Sequence, residues 1–134
     1  MEQHSKIEIE FRLHLPSRTS ARDAVGAAPD SGRLPRATRV LALAIQFQEM
    51  IRTGDARDYA DLARLGGLSR ERVSQIMKLG WLAPDIQIEV LNFPAVSGVH
   101  FPIRERALRN ISNRICWDEQ RALWYKLKET SHLA

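Results

Sequence analysis

Hydrophobic and polar residues alternate strictly near the start of the chain. In the stretch KIEIEFRLHL, at 6–15, isoleucine, phenylalanine and leucine occupy every second position, and charged or polar residues occupy the others. A period of two predicts a β-strand with one buried face. We therefore expect residues 1–15 to contain a strand that serves in dimerisation or docking.

A lone strand leaves its backbone N–H and C=O groups unpaired, and no other segment resembles a strand as strongly. Three arrangements would pair it. It pairs with its copy in a second chain, it adds to the sheet edge of a partner protein, or it finds a weak second strand in the loops of this chain. We favour the first arrangement, which predicts a homodimer with a strand pair formed between chains.

Beyond the strand, the periodicity is helical. Residues 16–36 are rich in Pro, Gly, Ser and Ala and have no apolar face, which is typical of a linker or a basic arm. Residues 37–53 place apolar side chains every three to four positions, and Gly54 follows. This pattern predicts a long amphipathic helix that ends at the glycine.

Three further helices are predicted towards the end of the chain, at 82–91, 103–111 and 117–128. The first of these fits a strand as well as a helix by local pattern alone. Trp81, just before it, is expected in the core, and residues 129–134 are expected to form a tail. The predicted fold class is mainly α, with a helical domain at 37–128 behind the N-terminal strand.

Residues 58–79 contain two short helical patterns separated by a glycine turn. Small and apolar residues mark their inner faces: Leu62, Ala63 and Leu65 in the first, and Leu68, Val73, Ile76 and Met77 in the second. Gly66 and Gly67 permit a sharp turn, while Asp58 and Ser69 suit the N-cap positions of the two helices. This spacing predicts a helix-turn-helix of the kind that binds DNA.

The outer side of the second helix is expected to be polar and mostly basic, as in a recognition helix that faces the major groove. The candidates for base contacts are Ser69, Arg70, Ser74, Gln75 and Lys78. Arg70 suits guanine and Gln75 suits adenine, because each side chain offers two hydrogen-bonding groups in matching geometry. Arg72 and Arg36 are the candidates for contacts to phosphates.

The stretch DYADLARLGGLSRERVSQIMKLGWLAPDIQIEVL, at 58–91, resembles the helix-turn-helix region of the ParB/KorB group of plasmid and chromosome partition proteins. In that group a short helix follows the hairpin, so the resemblance favours a helix at 82–91. A weaker likeness continues to Leu127, and the whole covers about half of the chain. The resemblance implies DNA binding, and short proteins of this type are often encoded beside site-specific recombinases on mobile elements.

Two properties of that group are not expected here. Full-length partition proteins have a nucleotide-binding region with an arginine-rich motif ahead of the helix-turn-helix, where this chain has a strand and a linker. Their separate C-terminal dimerisation domain has no counterpart after the last predicted helix. The resemblance therefore implies DNA binding alone, without nucleotide-gated clamping.

Composition agrees with a cytoplasmic DNA-binding protein. The 20 lysines and arginines exceed the 16 aspartates and glutamates, and the net charge of +4 suits a polyanionic partner. A single cysteine, Cys116, excludes an intramolecular disulfide and agrees with a reducing compartment. No apolar run is long enough to span a membrane, and no signal peptide is present. We expect a cytoplasmic, bacterial nucleoid-associated protein without membrane contact.

No catalytic, metal or cofactor site can be assembled from the sequence. The four histidines lie far apart without metal-ligand spacing, and there is neither a phosphate loop of the GxxxxGK type nor a serine nucleophile motif. We therefore expect no catalytic residue, no metal and no cofactor, and a protein that is not an enzyme.

Two functions remain open at this point. One is sequence-specific binding of double-stranded DNA by a homodimer, as a transcriptional regulator or as an accessory factor in recombination or partition. The other is a protein-interaction adaptor that docks onto a site-specific recombinase or a partition partner and binds DNA only weakly and without sequence preference.

Overall fold

A computed structural model describes residues 32–96 and 101–131. Over these two ranges the chain forms six α-helices and one short 3₁₀ helix, so the predicted mainly helical class is confirmed for this part. The β-pairing within these ranges is one isolated antiparallel bridge, between Arg33 and Val96. The N-terminal strand predicted at 6–15, most of the linker and the last three residues lie outside the described residues.

Helix α1 spans Arg36–Thr53, one residue earlier than predicted, and begins directly after Pro35. Its apolar stripe faces the core, where Val40, Ala44 and Phe47 are buried. The helix ends at Gly54, whose φ of 85° is in the left-handed region that glycine adopts without a Cβ clash. The 3.6-residue period thus located both the helix and its buried face.

Helices α2 (Tyr59–Gly66) and α3 (Arg70–Lys78) are the two helices predicted at 58–79. Both predicted N-caps are present: an Asp58 carboxylate oxygen accepts from the Asp61 N–H at 2.9 Å, and the Ser69 hydroxyl oxygen accepts from the Arg72 N–H at 3.0 Å. Gly67 follows α2 with a φ of 63°. The hairpin therefore consists of two capped helices with a left-handed glycine between them.

The inner face of the hairpin was predicted correctly except at Leu65. Val73 and Ile76 are buried on α3, as are Leu62 and Ala63 on α2. Leu65 is 46% exposed. Leu62, Ala63 and Gly66 form the buried face of this two-turn helix. Leu65 lies about 100° around the helix axis from the centre of that face and therefore points towards solvent.

Gly67→Ala should lower the free energy of unfolding by about 1–2 kcal/mol, because an L-residue at this φ brings Cβ against the carbonyl oxygen. Thermal or urea unfolding followed by circular dichroism measures the change. Gly80→Ala is the matched control. Its φ is not positive, and its added Cβ meets only the end of the exposed Gln48 side chain, which can move. Equal losses from both changes would show that the φ of Gly67 is not what requires glycine.

The segment after α3 forms a 3₁₀ helix at Leu79–Trp81 and then helix α4 at Pro84–Leu91. The helical interpretation of 82–91 is confirmed over 84–91, with Pro84 in the first turn. Thr38 joins α4 to α1 by donating its hydroxyl to the Val90 carbonyl at 2.7 Å.

The expectation that Trp81 lies in the core was wrong, because 57% of this residue is exposed. The 3₁₀ helix has only three residues, which is too short for a periodic pattern to indicate the direction of Trp81.

Helices α5 (Glu105–Ser112) and α6 (Trp117–Thr130) complete the described part of the chain. Helix α5 begins two residues later than predicted, and α6 continues two residues beyond the predicted end. Trp124 on α6 is 1% exposed and is among the largest side chains of the core. The exposed thiol of Cys116 lies immediately before α6.

Gln120 on α6 hydrogen-bonds to three backbone groups in two other segments of the chain. Its side-chain amide donates to the carbonyls of Arg114 at 2.8 Å and Trp81 at 3.1 Å, and its carbonyl oxygen accepts from the Ala83 N–H at 2.7 Å. The residue is 1% exposed. This single side chain holds the turn between α3 and α4 against the start of α6.

In the described part of the chain, none of the helices is long and apolar enough to cross a membrane.

Candidate nucleic-acid interface

The outer face of α3 carries most of the predicted base-contacting residues. Arg70 and Ser74 are exposed, and Lys78 is half-buried. Each is four residues from the next, so the three lie along one side of the helix, next to the face that buries Val73, Ile76 and Met77. The structure thus brings together three of the predicted groove contacts on one polar helix face.

Ser69 lies at the beginning of this face. Its hydroxyl oxygen is the N-cap acceptor for the Arg72 N–H, which fixes the residue at the first turn of α3. The hydroxyl hydrogen remains a potential donor to an anion at the same end of the helix. The N-terminal end of α3 therefore presents Ser69 and Arg70 side by side, and their contacts with DNA stay predictions.

Arg72 lies on the flank of α3 and bonds to Glu105 at the start of α5. Its two terminal nitrogens donate to the two Glu105 carboxylate oxygens at 2.5 and 3.0 Å, and the Arg72 side chain is 26% exposed. This bidentate geometry gives Arg72 an internal partner. The sequence suggested that Arg72 contacts a phosphate. That role stays a prediction, and it would use the N–H groups of Arg72 that do not donate to Glu105.

Gln75 is positioned through the same contact. The Arg72 Nη1 atom donates to the Gln75 side-chain oxygen at 3.2 Å, and Gln75 is half-buried. Its amide N–H groups remain the donors that an adenine N7 would accept. Arg72 therefore links the candidate adenine-reading side chain to α5.

Glu105 is the centre of this network, although no sequence pattern singled it out. Its side chain is 9% exposed and also faces Arg109 and Arg36, at 3.9 and 3.6 Å. Burial acts to raise the pKa of its carboxyl group, but the hydrogen bonds from Arg72 and the charges of Arg72, Arg109 and Arg36 outweigh burial and lower the pKa. Glu105 is therefore held as a carboxylate.

The two predicted phosphate-contacting residues converge on this carboxylate. Arg36 is the first residue of α1, its side chain is 73% exposed, and its Nε atom lies 3.6 Å from Glu105 Oε2. Arg36 and Arg72 are 36 residues apart in the sequence, and only the packing of α1, α3 and α5 brings them together. The only feature of the sequence that pointed to this cluster was the high frequency of arginine at 104–109.

Within 32–96 and 101–131, no group of three or more His, Cys, Asp or Glu side chains is placed to hold a metal ion. All four histidines lie outside these ranges. What the described residues do provide is a polar helix face beside a cluster of arginines, an arrangement suited to an anionic partner.

Comparison with known proteins gave no match to a family model, to a curated protein or to a solved structure.

Proposed function

We propose that the chain binds double-stranded DNA with sequence preference, inserting α3 into the major groove. The observation that supports this most directly is the exposed polar face of α3 on a capped two-helix hairpin, carrying Arg70, Ser74 and Lys78. The face carries two cations, Arg70 and Lys78, and the exposed Glu71 lies next to Arg70 in the first turn of the helix. The likeness of 58–91 to the ParB/KorB helix-turn-helix supports the same proposal.

The proposed cellular role is that of a transcriptional regulator or of an accessory factor in recombination or partition. A homodimer would place one α3 helix in each half-site of an inverted repeat, with half-sites about one helical turn apart. A cytoplasmic, nucleoid-associated protein that works beside a site-specific recombinase fits this role. The strand predicted at 6–15 would supply the contact between chains.

One observation favours the second candidate function, an adaptor that docks onto a recombinase or partition partner. Several large apolar side chains outside the hairpin are solvent-exposed, among them Trp81, Ile115, Trp117 and Tyr125. Exposed aromatic residues are common where proteins bind one another. The adaptor hypothesis predicts weak DNA binding that shows no sequence preference.

Selection of bound sequences from a random duplex pool separates the two functions. Salt must be fixed and stated, because phosphate contacts make the affinity salt-dependent. Enrichment of an inverted repeat would support the dimeric regulator and give its half-site spacing. Enrichment of one asymmetric site would support DNA binding and count against the dimer. Weak, salt-sensitive binding without enrichment would favour the adaptor.

Gln75→Ala should cost about 1–3 kcal/mol in binding to the selected site and relax the preference at one base pair, because the bidentate contact with adenine is lost. Fluorescence anisotropy on the selected duplex and on its three single-base-pair variants at that position measures both effects. Gln48→Ala, on exposed α1 surface, is the control and should bind like the wild type. An equal loss on all four duplexes would exclude base reading by Gln75.

A further inference from the structure

A basic cleft opens beside the outer face of α3 that carries Arg70, Ser74 and Lys78, which we call the recognition face. The start of α1, the flank of α3 and the start of α5 meet at this cleft. Its volume is about 900 Å³, and seven arginines and one acidic residue, Glu105, line it. Five of the arginines are exposed: Arg33, Arg36, Arg39, Arg104 and Arg106. The lining thus has a formal excess of six positive charges. We refer to it as the arginine cleft.

Glu105 cannot neutralise this cleft. Its carboxylate is engaged mainly by the half-buried Arg72, in a bidentate pair, and it lies 3.9 Å from the half-buried Arg109. The exposed arginines lie around this pair, and the nearest of them to Glu105, Arg36, is 3.6 Å away with most of its side chain in solvent. The internal ion pair supports the cleft, while the positive charge at its rim remains available to an external anion.

The ends of two helices add to the positive potential. Both α1 and α5 begin at the cleft, and neither has a side chain that caps its first turn. Helices α4 and α6 also lack a side-chain cap, whereas α2 and α3 are capped by Asp58 and Ser69. A helix N-terminus has free N–H groups and a partial positive charge, which favour a phosphate.

The position of the cleft indicates which polyanion it takes. Arg72 lines the cleft and also donates to Gln75 on α3, so the cleft is continuous with the recognition face. Its seven arginines come from three separate segments of the chain, 33–39, 72 and 104–109, and they are more cations than a single small anion needs. On the basis of the proposed function, we infer that the arginine cleft binds the sugar-phosphate backbone of the same DNA duplex whose major groove α3 reads.

The test replaces three exposed arginines of the cleft, Arg36, Arg39 and Arg106, with glutamine. The control replaces three exposed cations outside the cleft, Arg52, Arg114 and Lys126, and removes the same formal charge. Unchanged circular dichroism and thermal melting show that both variants are folded. Affinity is then measured by anisotropy on the selected duplex and on an unrelated duplex, across a series of salt concentrations.

We expect the cleft variant to lose at least about tenfold in affinity on both duplexes, with the preference between them unchanged, because phosphate contacts carry no sequence information. The slope of log affinity against log salt should become shallower by roughly 0.9 for each lost phosphate contact. The control variant should keep most of the affinity and the wild-type slope.

Two results would overturn the inference while leaving DNA binding by α3 intact. One is a wild-type salt slope in the cleft variant, and the other is an equal loss of affinity in the control variant, which would reflect net charge alone.

Inorganic phosphate, compared with chloride at matched ionic strength, should compete only weakly with the duplex for the cleft. Strong competition would assign the cleft to a small free anion instead. If the wild-type chain bound no duplex at all, the proposed function would fail together with this inference.

Discussion

Glu105→Gln should lower the free energy of unfolding by about 3 kcal/mol, near the lower end of the loss seen when one partner of a buried ion pair is removed. Glu105 is 9% exposed and its Arg72 partner 26% exposed, so the change leaves a poorly solvated guanidinium without its counter-charge. The contact also joins α3 to α5 across 33 residues of sequence. Urea unfolding followed by circular dichroism measures the loss.

Glu49→Gln is the matched control, because it removes the same charge from an ion pair with Arg52 on the surface of α1. Both side chains of that pair are more than half exposed, so solvent screens the attraction and the pair contributes little to stability. The double change Arg72→Gln with Glu105→Gln should cost less than the sum of the single changes. If Glu105→Gln cost no more than Glu49→Gln, the Arg72–Glu105 pair would have no special role in stability.

The same contact predicts how stability depends on pH. The folded chain lowers the pKa of Glu105, so folding favours the ionised carboxylate. Its contribution is fully present above the pKa of the unfolded chain, about 4.3 for glutamate, and disappears as the pH falls through the lower pKa of the folded chain. Between about pH 5 and 3, the wild type should therefore lose more stability than Glu105→Gln does. Parallel loss in the two proteins would contradict the assignment.

Gln120→Ala should cost about 3 kcal/mol of stability. The residue is 1% exposed, and its side chain makes three hydrogen bonds, to the Ala83 N–H and to the carbonyls of Trp81 and Arg114. A buried backbone group that loses its partner costs about 1–3 kcal/mol; the bond to the Ala83 N–H is buried, while water can replace part of the two part-buried bonds to the carbonyls. Thermal and urea unfolding measure the change.

Gln120→Glu separates hydrogen bonding from packing, because it keeps the shape and replaces the donating amide with an oxygen. That oxygen would face the carbonyls of Trp81 and Arg114, so we expect Gln120→Glu to be at least as destabilising as Gln120→Ala at neutral pH. Gln48→Ala, at an exposed position on α1, should change stability by less than about 0.5 kcal/mol. A stable Gln120→Glu protein would show that the side chain acts mainly by filling space.

Patterns among residues close together in the sequence predicted the helices well. The apolar period located α1 to within one residue, and Asp58, Gly67 and Ser69 form the caps and turn expected of them. These features depend on neighbours within one turn of helix, which sequence spacing reports directly. The strand predicted at 6–15 lies outside the described residues and stays a prediction.

The contacts that organise the candidate site join residues far apart in the sequence. Glu105 meets Arg72 across 33 positions and Gln120 meets Ala83 across 37, and no periodic pattern reports such distances. The arginine cleft was missed for this reason, because it forms only when three helices pack together. The errors at Leu65 and Trp81 have local causes: both residues are hydrophobic but exposed, Leu65 because of its angle around α2 and Trp81 because it lies in a three-residue 3₁₀ turn.

The single exposed thiol at Cys116 makes this chain suitable for a distance measurement without engineered cysteines. One nitroxide label per chain, attached just before α6, would give no defined dipolar coupling in a monomer. A symmetric pair would give one distance between its two labels. Pulsed electron paramagnetic resonance, with and without a duplex, would then report whether two copies meet before DNA is present or only on it.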